Sequence, residues 1–215
     1  MSPTLLAALA AGPTTWALEM DTASLAKVPV LGWQRSVTHT RALVRLEPDG
    51  TWTQWNCEVS LHGSSSVAHT ELPAAFVGAL RPIRAHALVD GDALRVDLGL
   101  SAVGWDPLLG PLPAKPSDPA VVDHEGDGRP GGTVVLEVYG LGRYGIEVAH
   151  ASHAVLRGAW DGEGWSGKIQ TLRLEQRVLG ADHRVLRASP VLRPLEEAST
   201  FTLRSTEATS CEALR

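Results

Sequence analysis

Strict alternation of apolar and polar residues is the feature that most limits what this chain can fold into. It is cleanest in Leu94-Arg95-Val96-Asp97-Leu98, continuing to Leu100 and Ser101. Period-2 patterning puts one set of side chains on one face of a strand and the other set on the opposite face, which a helix cannot do. The pattern recurs. Trp16, Leu18 and Met20 alternate with Ala17, Glu19 and Asp21; Ala42, Val44 and Leu46 alternate with Leu43, Arg45 and Glu47. Pro48-Asp49-Gly50 makes a hairpin turn into a strand from Trp52 to Leu61, with Trp55, Cys57, Val59 and Leu61 expected on one face. Further strands bracket Asp90-Gly91-Asp92, cover 134–138 and 146–156, return through Asp161-Gly162-Glu163-Gly164 to Trp165–Arg177, and close with Phe201 and Leu203. With 21 glycines and 14 prolines as punctuation, the chain reads as all-β. The expected architecture is a single antiparallel β-barrel or closed sandwich over 13–215, with one short helix near 72–80, where Pro73 suits a first turn.

Three segments interrupt the strands. Val28-Pro29-Val30-Leu31-Gly32-Trp33 contains a proline and belongs to an edge or a loop. Residues 106–122 hold five prolines and no periodicity, a long ordered loop or linker. Residues 1–12 carry the apolar run Leu5–Ala11 and read as the remnant of an export signal, without the basic residues that normally precede one.

Charge narrows the partners. A formal net charge of -5 argues against a nucleic-acid binder, and the 19 Lys and Arg are scattered, with no basic tract for phosphates or anionic lipid. No apolar run reaches the roughly 18–20 residues of a membrane helix. Cys57 and Cys211 are either two buried thiols or one long-range disulfide, the latter requiring an oxidising compartment.

One local pattern carries recognisable chemistry. Asp123, Glu125 and Asp127 occupy alternate positions before Gly128, as in loops that gather hard oxygen ligands around Ca2+, and Arg129 would add its backbone carbonyl. Val134 stands where an EF-hand needs a bidentate Glu, so this is not an EF-hand; a metal-free acidic turn is the other reading. The eight histidines show no zinc spacing, and His150 and His153 would face opposite sides of a strand. His62-Gly63-Ser64-Ser65-Ser66 lacks a nucleophile elbow, and Gly140–Gly145 is a hairpin turn because no helix follows it. Trp33, Trp52, Trp105, Trp160 and Trp165 lie near turns, where they would either line a barrel mouth for an apolar or sugar ligand or cap the core.

The run from Pro113 through Asp123-His124-Glu125-Gly126-Asp127-Gly128-Arg129-Pro130-Gly131 resembles the D-x-D-G-D-G-x-P-G loop of uncharacterised, exported, β-rich bacterial proteins, many from myxobacteria and relatives. The stretches Val28–Gly32, Asn56-Cys57, Leu72–Leu80, Val178–Ala181 and Phe201–Leu203 with Cys211 are similar to the same group, although Glu125 replaces its usual Asp. The resemblance implies export, a paired disulfide and a lipocalin-like barrel, and no assigned activity.

The leading expectation is therefore a non-enzymatic, exported, monomeric barrel that binds a small hydrophobic ligand or an envelope component. Its expected lining is Trp55, Val59, Leu94, Val96, Leu98, Val134, Leu136 and Val148. A purely structural envelope module is one alternative. A hydrolase assembled from Asp97, His150 and Ser152 is the other.

Overall fold

The computed structural model describes residues 14–28 and 32–214. The 1–12 segment and Pro29–Leu31 lie outside the described residues. The chain forms one antiparallel sheet of eleven strands: β1 Thr14–Val28, β2 Gly32–Leu46, β3 Thr51–Gly63, β4 Ala68–Glu71, β5 Ile83–Asp90, β6 Ala93–Val103, β7 Gly132–Val138, β8 Gly142–Trp160, β9 Gly164–Ala181, β10 Val191–Pro194 and β11 Thr200–Ser205. The one short helix, α1, spans Ala74–Gly78. Eight strands close a ring in the order β8-β6-β5-β3-β2-β1-β11-β9, with β9 returning to β8. β7 and β4 extend the free upper edge of β8, and β10 pairs with the upper part of β1. No helix among the described residues is long and apolar enough to cross a membrane.

The hairpin turns fall where Pro48-Asp49-Gly50, Asp90-Gly91-Asp92 and Asp161–Gly164 lead the sequence to place them. Gly50 sits at φ 88°, and a Cβ there would lie 2.7 Å from the Ala87 carbonyl oxygen, so the β2–β3 turn is tight against β5 and requires glycine. These three turns mark one end of the barrel. That end is packed solid by Trp16, Leu18, Val44, Leu46, Trp52, Leu94, Val96, Leu156, Trp165, Ile169, Phe201 and Leu203. The alternation read from the sequence is what points these residues inward.

The long strands β1, β2, β3, β8 and β9 continue past this core to the opposite end. There the β1–β2 and β7–β8 hairpins, the β3–β4 connection and the segment after β9 come together. α1 packs on β3 and β7, and Phe76 turns its ring toward Gly132. A Cβ at Gly132 would meet Val103 at 2.9 Å and Phe76 at 3.0 Å, so the missing side chain is what lets the helix close in. The proline-rich stretch is an ordered cover: Trp105 bridges to Val121, and Leu112 and Val121 pack with Trp105, Ala149, Ala151 and Leu179 on the outer face of β8–β9.

One facing differs from expectation. Asn56 pairs with Ala42 and Glu58 with Arg41, leaving Cys57 as an extra residue in β3. This bulge reverses the parity of the strand. Trp55 and Cys57 therefore face outward, Trp55 with 37% of its surface exposed, whereas Val59 and Leu61 pair with Thr40 and Thr38 on the inner face. Cys57 joins Cys211 in a disulfide on the outer wall, beside Leu43, Ala208 and Leu214.

Candidate functional site

Side chains directly opposite on paired strands share a face, so the register defines what lines the upper half of the barrel. Along β8 the inward parity set by Leu156 and Ala154 in the core continues through Ser152, His150, Val148 and Ile146. Their partners Ser101, Val103, Val134, Leu174 and Gln176 face the same way. On the other wall Leu18 and Met20 lead to Thr22 and Ser24, which pair with Thr38 and Ser36, and these in turn neighbour Leu61 and Val59.

Two properties set this inner surface apart from the packed half. Apart from Val148, these upper-half side chains are neither buried nor fully exposed. Among the apolar ones, Val59, Leu61, Val103, Val134, Leu136, Ile146 and Leu174 belong to none of the packed clusters. The surface is also uncharged. Lys27, Arg41, Glu58, Glu137, Glu147, Arg173, Glu175 and Arg177 all fall on the outward parity of the same strands. His150 is held neutral: desolvation pushes its pKa down to about 4, against a hydrogen bond with Gln176 that works the other way. The upper half is thus walled by aliphatic groups interleaved with neutral hydroxyls and amides.

The eight lining residues expected from the sequence divide three ways. Leu94, Val96 and Leu98 are buried in the packed half. Val59, Val134, Leu136 and Val148 stand on the inner surface of the upper half, Val148 buried and the others half-buried. Trp55 is outside. The sequence reading passed over Thr22, Ser24, Ser36, Thr38, Ser101 and Gln176, because a polar residue at an inward position looks like the solvent face of a strand. A signal was present: in β1 the inward parity of Leu18 and Met20 runs on unbroken into Thr22 and Ser24.

The acidic loop lies outside the barrel, between the proline-rich cover and β7. Ligand oxygens of Asp123, Glu125 and Asp127 come within 4.8 Å of one another. Asp123 accepts hydrogen bonds from the backbone N–H groups of Gly126 (2.7 Å), Gly128 (2.8 Å) and Asp127 (3.3 Å). Glu125 accepts from the Thr133 N–H, and Asp127 accepts from the Thr133 hydroxyl and the Arg129 N–H. Each carboxylate oxygen keeps a second lone pair, so this cradle orients the three groups without using up their capacity for a cation. Partial burial, with the charges of Asp127 and Asp123 nearby, raises the pKa of Glu125. For Asp123, desolvation raises the pKa, but the backbone hydrogen bonds outweigh it and the net shift is downward.

The Arg129 side chain takes no part in the cluster. Its guanidinium reaches across β8 to Asp182 at 3.2 Å and Glu147 at 2.8 Å, and these charges, Asp182 foremost, raise its pKa. It ties the loop to the outer wall. Beside the loop, a cavity of about 10 Å3 between Phe76, Arg81, Val103, Glu125 and Gly132 holds the unpartnered Nε2 of His124 and has room for about one water molecule.

Asp97, His150 and Ser152 do not converge. Asp97 faces outward and pairs with His153 at 2.6 Å, while His150 and Ser152 face inward. A register irregularity between Asp97 and Leu100 leaves the Asp97–His153 pair on the outer surface, as the i, i+3 spacing of His150 and His153 requires. Comparison with protein-family models, with curated proteins and with solved structures gives no match to this chain.

Proposed function

We propose that the protein is an exported, non-enzymatic β-barrel that receives a small, uncharged, largely hydrophobic ligand in its upper half. The observation that carries this reading is the inner surface described above: apolar side chains that face inward yet join no packed cluster, interleaved with neutral polar groups. Ligand sites are typically mostly apolar walls with a few polar groups that fix orientation. Ser101, Ser152 and Gln176 supply those groups on one wall, and Thr38 and Ser36 on the other. Export fits the Cys57–Cys211 disulfide, since such bonds persist in oxidising compartments.

The test is titration with the neutral fluorescent probe N-phenyl-1-naphthylamine. Wild-type protein gives saturable binding. Leu136→Arg places an unpaired charge on the half-exposed inner wall and weakens binding by about 10-fold or more, equivalent to about 1.4 kcal/mol. Trp55→Ala, on the outer wall, leaves it unchanged. Absence of saturable binding, or equal loss in both variants, would favour the purely structural reading.

The acidic loop we read as a structural Ca2+ site bracing the start of β7 through Thr133, with Asp123, Glu125 and Asp127 as ligands. Sites with few protein ligands bind with Kd on the order of 10-4 to 10-3 M. About 5 mM Ca2+ then stabilises the fold by about 1–2 kcal/mol, a rise in Tm of roughly 3–5 °C. The sign of the pH dependence follows from Glu125. A carboxyl whose folded pKa is raised favours folding below its unfolded pKa, and this contribution is lost as pH rises through the folded pKa. Ca2+ relieves the same repulsion, so its stabilising effect is full at neutral pH and fades as protons compete in the acidic range. Thermal melts with Ca2+ or chelator at both pH values check this; Tm unmoved by either, or equally moved in Asp123→Asn/Asp127→Asn, would leave the loop as a turn alone.

A further inference from the structure

We propose that the upper end of the barrel is a docking surface for an anionic lipid bilayer. This goes beyond ligand binding and does not depend on it. The cations that are scattered in sequence are gathered there by the topology: Lys27 beside the β1–β2 hairpin, Arg184 and Arg187 in the turn after β9, and Arg193 on β10. All four are exposed and have no ion-pair partner among the described residues. The acids at this end are mostly neutralised, Glu71 by Arg143 and Asp182 by Arg129, leaving Glu137. Arg35 is set aside, because it shares a shallow groove with Glu196 and Glu197.

The packed end has the opposite character. Exposed Asp49, Asp90, Asp92, Glu163 and Glu207 stand on its turns and on the segment after β11, with no ion-pair partner among the described residues. The protein thus has a net charge of -5 but a strong polarity along the barrel axis. An anionic surface would attract one end and repel the other, which fixes orientation as well as affinity.

Exposed apolar side chains coincide with the basic end. Trp33, Val67, Tyr139, Leu141, Val185 and Val191 project there, Leu141 with 73% of its surface free. They are spread over several loops. The Tyr139 N–H donates to the Val67 carbonyl, the Tyr144 hydroxyl donates to the Leu141 carbonyl, and Tyr144 packs edge-on to His183. Across the rim the Arg193 guanidinium lies 4.6 Å from the Trp33 ring centroid. A protein partner favours one contiguous patch of about 800 Å2. Separate apolar tips, a tyrosine and a tryptophan beside guanidinium groups, suit the bilayer interface, where aromatic rings settle at headgroup level.

Sedimentation with vesicles tests this. Phosphatidylcholine vesicles containing about one third phosphatidylglycerol should carry the protein down at low salt, and phosphatidylcholine alone should not. One cation near an anionic leaflet changes affinity about five-fold, so Arg184→Glu/Arg187→Glu should weaken binding by at least about 25-fold. Tyr139→Ser/Leu141→Ser should abolish the part that survives high salt, and Asp90→Lys/Asp92→Lys, at the packed end, should lose nothing. Equal uptake by both vesicles, no uptake by either, or no effect of the paired arginine change would overturn the proposal. Duplex DNA that binds as tightly, with the same sensitivity to Arg184 and Arg187, would overturn it too, by showing a general polyanion surface.

Discussion

Replacing Cys57 and Cys211 together by serine lowers stability by up to about 5 kcal/mol, and Tm by roughly 10–20 °C. The bond spans 154 residues, and in the chain-entropy view the cross-link acts by restricting the unfolded chain, more so for a longer loop. The bond also has a local role. It pins the C-terminal segment to the outer wall, where Ala208 and Leu214 cover Leu43 with Ala17 and Cys57 alongside. Loss of the bond therefore frees this cover as well, and amide exchange should rise first in β11 and the segment beyond it. The paired serine variant, compared with wild type under oxidising and reducing conditions, checks this. Reduced wild type should match the variant. A Tm change below about 2 °C would mean that the tail holds by packing alone.

The barrel was legible because its lower half obeys a simple rule. Leu94, Val96, Trp16, Leu18, Val44 and Leu46 alternate with polar residues and all reach the core. The disulfide was readable as one of two options. Facing along β3 was not, because a bulge is one residue wide and leaves no mark on composition: Cys57 is simply the residue that Arg41 and Ala42 skip. The candidate site was half legible. Its apolar members, Val59, Val134 and Leu136, stand out as strand residues, but its serines, threonines and Gln176 imitate a wet face. Charge was the least legible. Lys27, Arg184, Arg187 and Arg193 are far apart in sequence, and only the order of strands around the ring brings them to one rim. The acidic triad needed no fold to be seen, since its members are neighbours in the chain.

The packed end is expected to respond to substitution in an order that burial alone does not give. Trp165 is fully buried, with ring centroids 5.0 Å from Trp16 and 4.8 Å from Trp160. Trp165→Ala removes the centre of this cluster, and the cavity costs about 3–5 kcal/mol. The indole N–H of Trp165, however, has no hydrogen-bond partner. A buried donor left unmade costs about 1–3 kcal/mol, so Trp165→Phe gives up some packing but also removes that penalty, and its net cost should stay below about 1.5 kcal/mol. Trp52 is equally buried, but its N–H donates, at 3.4 Å, to Gln54, itself fully buried and bonded onward to Asn56. Trp52→Phe therefore loses packing and strands the Gln54 oxygen. Denaturant unfolding should rank Trp165→Phe mildest, Trp52→Phe intermediate and Trp165→Ala most damaging. If the two phenylalanine variants cost the same, the orphaned indole at Trp165 has no energetic weight, and packing alone holds the lower end.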